Sequence, residues 1–543
     1  MRVISLYFHT LRHLRPSQIL WRVRYRLSSA SARERPPVES RPLRGTWSAP
    51  PPKPPSWRGD LRFCFLNHEH ALSDPTDWNP RGLPKLWLYN LHYFDWLQAA
   101  DAAADPRRHH ALMRIWVANN PAGHGNGWEP YPLSLRIANW VKFALATSGR
   151  LPQDLEESLA IQLDVLSRRI EYHLSGNHLM ANAKALIFGG WFFRGEAAES
   201  WERCGLELLR DQLAEQVLPD GGHFERSPMY HAIILEDVLD LINLAGAFGE
   251  PVPQAWRDAA RRMRGWLGML CHRDGDIAFF NDAAFGIASD AAALEDYANR
   301  LGLPPAAACG PGLVHLPDSG FLRWEAGPML LLADLGSVGP DDQPGHAHAG
   351  TLSFELSVGR NRLLVNTGTS TYAPGAERTW ERSTAAHNTL SLDGENSSEV
   401  WASFRVARRA RVRELAIAAD AGAVQCAHDG FRRLPGRPVH RRSWYLTADG
   451  LTLTDDVLGG GSHRVGLAFH FHPAAQIVLD AGEAIGTVGG AGFRIALPDN
   501  LAWTLEEGAW SPRFGERICN WRLRGEADMS LPCRVTTRLD VDR

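Results

Sequence analysis

Phe321-Leu322-Arg323-Trp324 and Met329-Leu330-Leu331-Leu332-Ala333 are short β-like runs that mark a change in the pattern of this 543-residue chain. Similar runs, bounded by turn residues such as Asp449-Gly450, continue from about residue 313 to the end, for example over 443–446 and 466–471. Many short strands at regular spacing predict an antiparallel β-sandwich. We therefore expect a β domain over residues 313–543.

The part of the chain before this change has a helical pattern. Between about residues 84 and 305, apolar residues recur at three- and four-residue spacing in a series of segments, the first over 86–104. Short breaks separate the segments, as at Leu218-Pro219-Asp220-Gly221-Gly222. No fixed repeat period is visible, which argues against a solenoid. The pattern predicts antiparallel helices over 59–312, so that the chain as a whole is an α+β multidomain protein.

Residues 1–58 form a third region. Residues 1–30 have the pattern of a basic amphipathic helix, in which apolar residues such as Ile4, Phe8 and Leu11 lie among Arg and His. Such a helix can lie on a membrane surface or on a partner, but packing against the body of the protein is the favoured interpretation. Residues 33–57 are rich in Pro and predict a connector that is not helical.

Composition excludes several classes of protein. The formal net charge is −3, so no overall attraction to nucleic acid is expected. The 20 tryptophans favour carbohydrate binding, because large flat rings stack on sugar faces. The seven dispersed cysteines contain no C-x-x-C pair and are expected to be mostly reduced thiols. No run reaches the length of a transmembrane helix, and the N-terminus lacks the apolar core and cleavage site of a secretory signal.

Two histidines stand close together in Gly345-His346-Ala347-His348-Ala349-Gly350. If the strand predicted over 352–358 begins at His346, both imidazoles point to one face, because side chains in a strand repeat with period two. Imidazole accepts protons near physiological pH and is the commonest metal ligand. One ring is then suited to acid–base chemistry and the other, with His387 of Ala386-His387-Asn388-Thr389, to metal binding. The alternative is that both are polar loop residues between glycines.

The helical region contains two polar clusters, each at the start of a predicted helix. In Ser175-Gly176-Asn177-His178, the alternative to a functional role is that Asn177 caps the helix. In Phe224-Glu225-Arg226-Ser227-Pro228-Met229-Tyr230-His231, the alternative is that Tyr230 and His231 are core residues with satisfied polar ends. Each cluster taken alone favours the structural alternative.

Together and in this order, the clusters and the histidine motifs resemble those of the heparinase II/III family of polysaccharide lyases. The matching segments are 176–178, 224–231, 345–350 and 386–389. The resemblance implies an incomplete (α/α) toroid followed by antiparallel β-sheets. It also implies an enzyme, a carbon–oxygen lyase that cleaves a uronic-acid-containing polysaccharide by β-elimination. The polymer is then glycosaminoglycan-like or a bacterial exopolysaccharide, since segment 87–95 is similar to that of members from exopolysaccharide loci.

The resemblance also implies roles for individual residues. Asn177 would neutralise the substrate carboxylate, and Tyr230 and His346 would act as acid and base, in an order set by the uronate epimer. Arg378 and Arg382 are weaker candidates for contacts with acidic sugars. The supporting or substrate-binding candidates, for which surface-loop or structural chemistry is the alternative, are His178, Glu225, Arg226, His231, Asn126, Trp128 and Glu129.

A structural zinc ion is the one cofactor that the resemblance implies. His348 and His387 match two of its ligands, and the third is commonly an Asp. Asn366 stands at that position here, and a neutral amide is a poorer zinc ligand than a carboxylate. The expectations left open are a zinc site, a site for a different ion, or a hydrogen-bond cluster.

Two other functions remain open on the sequence. A glycoside hydrolase on an (α/α) barrel would need two opposed carboxylates, for which Glu129, Glu225 and Asp282 are possible. A non-catalytic carbohydrate-binding factor in exopolysaccharide assembly is the second. In each case the expected partner is an acidic polysaccharide rather than nucleic acid. The family implies a periplasmic or secreted protein, whereas the N-terminus leaves a cytoplasmic one open, and the sequence does not specify an oligomeric state.

Overall fold

The computed structural model describes residues 2–27, 36–307 and 309–542. Its helices are α1 (Arg2–Leu11), α2 (Pro16–Leu27), α3 (Lys85–Tyr93), α4 (Pro106–Asn119), α5 (Pro130–Ala146), α6 (Gln153–Ser167), α7 (Gly176–Phe192), α8 (Glu196–Gln216), α9 (Pro228–Phe248), α10 (Gln254–Met269), α11 (Ala291–Arg300) and α12 (Ala376–Glu381). Helices α3 to α11 form the predicted helical domain, in which α5 to α8 pack in sequence, α3 packs on α5, α4 packs on α6, and α9 packs on α7, α10 and α11.

Helix α7 lies at the centre of the helical domain. It packs against α5, α6, α8 and α9. Every residue of α7 except His178 is buried, as expected for a helix that is apolar all round. A Cβ atom at Gly190 would lie 2.7 Å from the backbone nitrogen of Glu202, so glycine allows α8 to approach α7 closely. The N-terminal end of this buried helix carries Asn177.

Two predicted helices differ from the structure. The helix predicted over 86–104 ends at Tyr93, because Phe94 adopts a left-handed conformation with φ of 62°. The single helix predicted over 1–30 is two helices, since the first ends at Leu11 and Pro16 begins the second. Part of the prediction, residues 28–35, lies outside the described residues. The described part of the Pro-rich connector contains no helix, and β1 (Glu39–Ser40) within it pairs with β4 (Phe193–Arg194).

The C-terminal region is antiparallel throughout. A five-stranded sheet has the order β5 (Gly312–Leu316), β6 (Phe321–Ala326), β7 (Met329–Asp334), β8 (Phe354–Val358) and β9 (Asn361–Leu364). A four-stranded sheet has the order β10 (Leu390–Leu392), β17 (Ser462–His470), β22 (Ile518–Ser530) and β21 (Ala502–Trp510). The predicted fold class, a helical domain followed by antiparallel sheets, is confirmed.

The largest sheet has eight strands, and the remaining strands are short hairpins. Its order is β13 (Val412–Ala418), β14 (Ala423–His428), β15 (Val439–Leu446), β16 (Gly450–Leu458), β23 (Cys533–Val541), β20 (Ala491–Ala496), β19 (Glu483–Val488) and β18 (Gln476–Asp480). The hairpins are β2 (Arg62–Phe65) with β3 (His68–Ala71) and β11 (Val400–Trp401) with β12 (Arg405–Val406). A second apolar core lies between the sheets.

The two domains share part of one core. Val365, Trp510 and Phe514 of the β region belong to the apolar cluster of the helical domain. This packing holds the loops of both domains against each other and so builds the site described next. Among the described residues, no helix is long and apolar enough to cross a membrane.

Candidate active site

The site forms where the beginnings of α7 and α9 meet loops of the β domain. The loop that contains His346 and His348 precedes β8, so the strand expected over 352–358 does not extend back to these histidines. Both imidazoles still lie on one side of the loop, because both bind Asp282. The side chain of Ser227 caps α9 by accepting from Tyr230 N at 3.2 Å and donates to the carbonyl of Asp282, which ties α9 to the same centre.

The beginning of α7 is capped from across the site rather than by its own side chain. Ser175 and Gly176 have φ of 61° and 60°, and Glu225 Oε1 accepts a hydrogen bond of 2.9 Å from the backbone nitrogen of Asn177. A Cβ atom at Gly176 would lie 2.5 Å from Glu225 Oε1, so glycine leaves room for this contact. The carboxylate suits the positive end of the helix dipole.

Asn177 is therefore not the cap that its sequence position permits. Ser175 occupies the N-cap position without a side-chain hydrogen bond. The Asn177 side chain is buried, and its Oδ1 has no hydrogen-bond partner among the described residues. A buried polar atom without a partner is costly, so this amide is available for a ligand.

Tyr230 and His346 are in direct contact. Their rings stack with centroids 3.7 Å apart. The hydroxyl group of Tyr230 lies 3.1 Å from that of Tyr372, a residue that the sequence did not single out. Burial, and the neighbouring Tyr372, raise the pKa of Tyr230 well above its ordinary value. The phenol therefore keeps its proton at neutral pH.

Asp282 holds the His346 ring in place. His346 Nδ1 donates to Asp282 Oδ2 at 2.9 Å, which leaves Nε2 free for proton transfer. Burial alone would raise the pKa of Asp282, but Arg378 and the hydrogen bonds of His346 and His348 hold it well below its usual range. The fully buried carboxylate is thus ionised and bound by both terminal nitrogens of Arg378.

Glu225 contacts both His346 and the beginning of α7. Its Oε2 lies 3.4 Å from His346 Nε2, and its Oε1 binds the start of α7. The buried Glu225 thus links Asn177 to His346. The three residues predicted as catalytic, Asn177, Tyr230 and His346, are brought together from three separate segments of the chain.

His178 lies beside Asn177 and is the only residue of α7 that is not buried. Its Nδ1 is 3.0 Å from Glu171 Oε2, and its ring lies 4.5 Å from that of Tyr131. Burial lowers the pKa of His178, but the charge and hydrogen bond of Glu171 outweigh burial and raise it above its ordinary value. The ring at the rim of the site is thus protonated more readily than an ordinary imidazole.

Several supporting candidates do not reach the site. His231 is fully buried, with Nε2 2.8 Å from the carbonyl oxygen of Met263 and its ring stacked on Trp266, so the core interpretation applies to it. Arg226 donates to the carbonyl oxygens of Ser337 and Asp318. These two residues hold the fold together, and the expectation that they contact substrate is corrected.

The three substrate-binding candidates in the segment after α4, Asn126, Trp128 and Glu129, are corrected in part. Trp128 is buried and donates to the carbonyl of Asn120, and Arg136 lies over its ring, so it offers no face to a sugar. Asn126 is half-buried and donates its side-chain nitrogen to Asn79 Oδ1 at 2.9 Å. Glu129 is half-exposed and binds Lys85 Nζ at 3.0 Å and the hydroxyl of Tyr89.

The two arginines suggested as sugar contacts are structural as well. Arg378 binds Asp282, and Arg382 donates to the carbonyl oxygens of Ala347 and Ala402. Both are almost completely buried. Both side chains therefore support the loop that contains His346 and His348, and neither is accessible to a ligand.

The residues present fit a zinc ion poorly. His348 Nδ1 and His387 Nε2 lie 3.2 Å apart, so these two rings do meet. The Asn366 amide, however, donates to the carbonyl oxygen of Phe279 at 2.9 Å. Over the described ranges, no group of three His, Cys, Asp or Glu could hold a metal ion. The zinc site stays a prediction, and no step below depends on it.

Comparison with known families covers both domains. A family model described as heparinase II/III N-terminus matches residues 93–303, and one described as heparinase II/III-like, C-terminal matches residues 309–529. Among solved structures, heparinase III has a TM-score of 0.70 at 17% identity, covering 86% of this chain and 79% of that one. A chondroitin AC lyase of Streptomyces coelicolor A3 has a TM-score of 0.50 at 12% identity, covering 84% and 74%.

Two kinds of characterised relative are similar in sequence. FtsZ-localized protein C of Caulobacter vibrioides is 28% identical over 77% of this chain and 74% of its own length. A heparin-sulfate lyase of Bacteroides stercoris is 27% identical over 41% of this chain and 37% of its own. Because the two family models together span residues 93–303 and 309–529, the chain belongs to the heparinase II/III-like family of polysaccharide lyases.

Proposed function

We propose that this protein cleaves a uronic-acid-containing polysaccharide by β-elimination. The observation that carries the proposal is the meeting of Asn177, Tyr230 and His346 beside two buried carboxylates, Glu225 and Asp282. This set supplies the groups that elimination next to a carboxylate requires.

The first requirement is to offset charge on the substrate. The proton at C5 of a uronate is very weakly acidic, because its removal places further negative charge on the adjoining carboxylate. A preorganised donor aimed at that charge is usually the largest catalytic contribution. The side-chain nitrogen of Asn177 can donate to the carboxylate, and the ring of His178, whose pKa is raised, adds attraction from the rim when it is protonated.

The second requirement is proton transfer in two places. The C5–H bond breaks as the double bond between C4 and C5 forms, and the glycosidic oxygen leaves C4 with a proton. Tyr230 holds a phenolic proton and His346 Nε2 lies 3.4 Å from Glu225 Oε2, so the two side chains are groups that can give or take a proton. The uronate epimer determines which face carries the C5 proton and thereby which of the two residues takes it.

The hydrolase alternative is less well supported. A hydrolase needs one carboxylic acid and one opposed carboxylate, both able to approach the glycosidic bond. Asp282 is fully buried and already binds Arg378, His346 and His348. Glu225 caps α7. Asp282 is therefore unavailable, and Glu129 is held by Lys85 and Tyr89, so Glu225 lacks an opposed carboxylate, which favours elimination.

The test is to incubate the protein with heparan sulfate, hyaluronan, alginate and the exopolysaccharide of its own host. Elimination is expected to give ultraviolet absorbance from the unsaturated product with at least one of these polymers. New reducing ends without absorbance would establish hydrolysis instead. Binding of a polymer without either product would identify a non-catalytic carbohydrate-binding factor, and both results contradict the proposal.

A further inference from the structure

Helix α1 turns its apolar side away from the protein. Its exposed apolar residues share one face, because they recur at spacings of three and four. Ile4 is 74% exposed and Phe8 is 64% exposed. The full set on this face is Val3, Ile4, Phe8 and Leu11, whereas Tyr7 beside them packs on Trp401 with ring centroids 4.9 Å apart. A surface helix normally buries such a stripe, so the orientation of α1 is inverted.

Polar contacts hold α1 to the β domain from its other side. Thr10 Oγ1 accepts a hydrogen bond of 3.1 Å from Trp401 Nε1. Ser5 Oγ accepts one of 3.2 Å from Arg408 Nη2. The apolar face therefore stays outward because the polar face is the one that is docked.

Helix α2 repeats this arrangement. Gln18 is buried and donates to the carbonyl of Asp342 at 3.3 Å, while Trp21 stacks on Tyr172 with centroids 4.5 Å apart. Leu27 is 82% exposed. The exposed apolar residues on this side of α2 are Ile19, Leu20, Val23 and Leu27. Two consecutive helices thus present apolar side chains to solvent, a pattern that marks an interaction surface.

The charge around these helices is strongly positive. Residues 1–27 contain no Asp or Glu. A half-open pocket of about 390 Å³ adjoins the end of α1, and Asp429 is its one acidic lining residue among the described residues. Of its lining arginines, Arg408, Arg409, Arg411 and Arg433 pair with nearby carboxylates, whereas Arg432 and Arg437 are exposed and have no acidic partner among the described residues. Burial and the nearby Arg409 lower the pKa of His13 to about 4, as expected beside so many cations.

We propose that α1 and α2 dock this protein on an anionic lipid bilayer. The apolar faces enter the boundary between headgroups and acyl chains, and the exposed Arg432 and Arg437 of the adjoining pocket bind lipid phosphates. Apolar burial combined with attraction to anionic lipid is how interfacial helices bind membranes. An acidic polysaccharide would leave Ile4 and Leu20 in water. A second copy would bring its own cationic pocket against this one, so a bilayer fits both features best.

The test is co-sedimentation of the full chain with vesicles. Binding is expected to vesicles that contain phosphatidylglycerol and to be much weaker with phosphatidylcholine alone. The double variant Ile4→Glu/Phe8→Glu should lose binding by about tenfold or more, and so should Leu20→Glu/Val23→Glu. Val478→Glu is the matched control, because Val478 is 61% exposed on β18, far along the chain from both helices, and should bind as the wild type does.

A second variant tests the charges without touching the helices. Arg432 and Arg437 are exposed, and neither has an acidic partner among the described residues. Arg432→Glu/Arg437→Glu should weaken binding at low salt, with a difference that shrinks as salt is added. Circular dichroism melting of each variant checks that the fold is intact.

Three results would overturn the proposal. The first is wild-type binding by both helix variants, and the second is equal binding to neutral and anionic vesicles. The third is self-association in light scattering without vesicles that Ile4→Glu/Phe8→Glu abolishes, which would assign the face to a second copy. Each measurement is independent of lyase activity.

Discussion

The molecule contains two series of buried, hydrogen-bonded side chains with the same composition. Each consists of an aspartate, two histidines and an arginine. In the active site, Asp282 binds His348 at 2.8 Å, His348 lies 3.2 Å from His387, and Arg378 binds the carboxylate. We name this group the cleft chain. Within the eight-stranded sheet, Asp455 binds His440 at 2.6 Å, His440 lies 3.2 Å from His428, and Arg442 binds the carboxylate. We name this one the sheet chain.

The cleft chain and the sheet chain differ in the elements that carry their residues and in the side chains that they contact. The sheet chain sits on neighbouring strands, with His428 opposite His440 and Arg442 opposite Asp455. The cleft chain is assembled from loops and from Arg378 of α12, and the second oxygen of Asp282 also holds His346. A buried histidine–carboxylate chain is therefore a structural device in this protein. What distinguishes the cleft chain is the additional imidazole that faces Glu225 and Tyr230.

The largest expected effect comes from breaking the cleft chain at its carboxylate. Asp282→Asn should reduce kcat/KM by about 10⁴-fold, because an amide does not hold His346 in the tautomer that leaves Nε2 free. The measurement is the initial rate of ultraviolet absorbance increase, taken at a temperature where circular dichroism shows folded protein. Asp455→Asn is the matched control and should keep wild-type activity per folded molecule. A loss below tenfold in Asp282→Asn would show that His346 does not depend on this carboxylate.

The acid and base themselves should give the next largest effect. Tyr230→Phe and His346→Ala are each expected to lower kcat by about 10²- to 10⁴-fold, since each removes one proton-transfer group. Tyr230→Phe should change the free energy of unfolding by only about 1 kcal/mol, because the lost hydroxyl has one hydrogen bond, to Tyr372. His440→Ala provides the contrast and should lower stability without changing kcat. Full activity in Tyr230→Phe would favour the hydrolase alternative.

Breaking the sheet chain should affect stability alone. Asp455→Asn leaves Arg442 fully buried without its carboxylate. Removing one partner of a buried ion pair costs about 3–5 kcal/mol. Urea unfolding of the wild type and the variant measures this difference. A cost below about 1 kcal/mol would mean that Arg442 finds other partners, such as the carbonyl oxygens of Leu352 and Asn388 that it already binds.

The smallest expected effect belongs to a third histidine–carboxylate pair, His178 with Glu171, which is partly open to solvent. The raised pKa of His178 means that the pair stabilises the fold fully below about pH 6.5 and that this stabilisation is lost as pH rises through the raised pKa. At low pH we expect this pair to add about 1 kcal/mol to the free energy of unfolding. Urea unfolding of the wild type and Glu171→Gln should show a difference that shrinks from about pH 5.5 to about pH 9. A difference that grows with pH would contradict the assignment.

Part of the active site was predictable because its residues follow local rules. Asn177 and Tyr230 lie at the beginnings of helices, which polar clusters in the sequence indicate. His346 lies in a motif bounded by glycines. Asp282 was not identifiable as the centre, because it is 64 residues from His346 and 96 from Arg378 along the chain. Nothing in the sequence around a single Asp specifies partners at that distance. Trp128 misled because an exposed and a buried tryptophan look alike in sequence, and only the packing against Trp116 and Arg136 buries its ring.

The sequence by itself determined which segments are helices and which are strands, because spacings of three to four or of two residues place apolar side chains on one face. It also determined which residue types stand at the helix beginnings and in the histidine motif. Only the tertiary structure decided which way each face points and which distant groups meet. The apolar stripe of α1 satisfies the same periodicity whether it is buried or exposed, and Ser5 and Thr10, bound to the β domain, turn it outward. His346, in turn, acquires its orientation from Asp282, because a buried carboxylate fixes the one ring nitrogen that carries the proton.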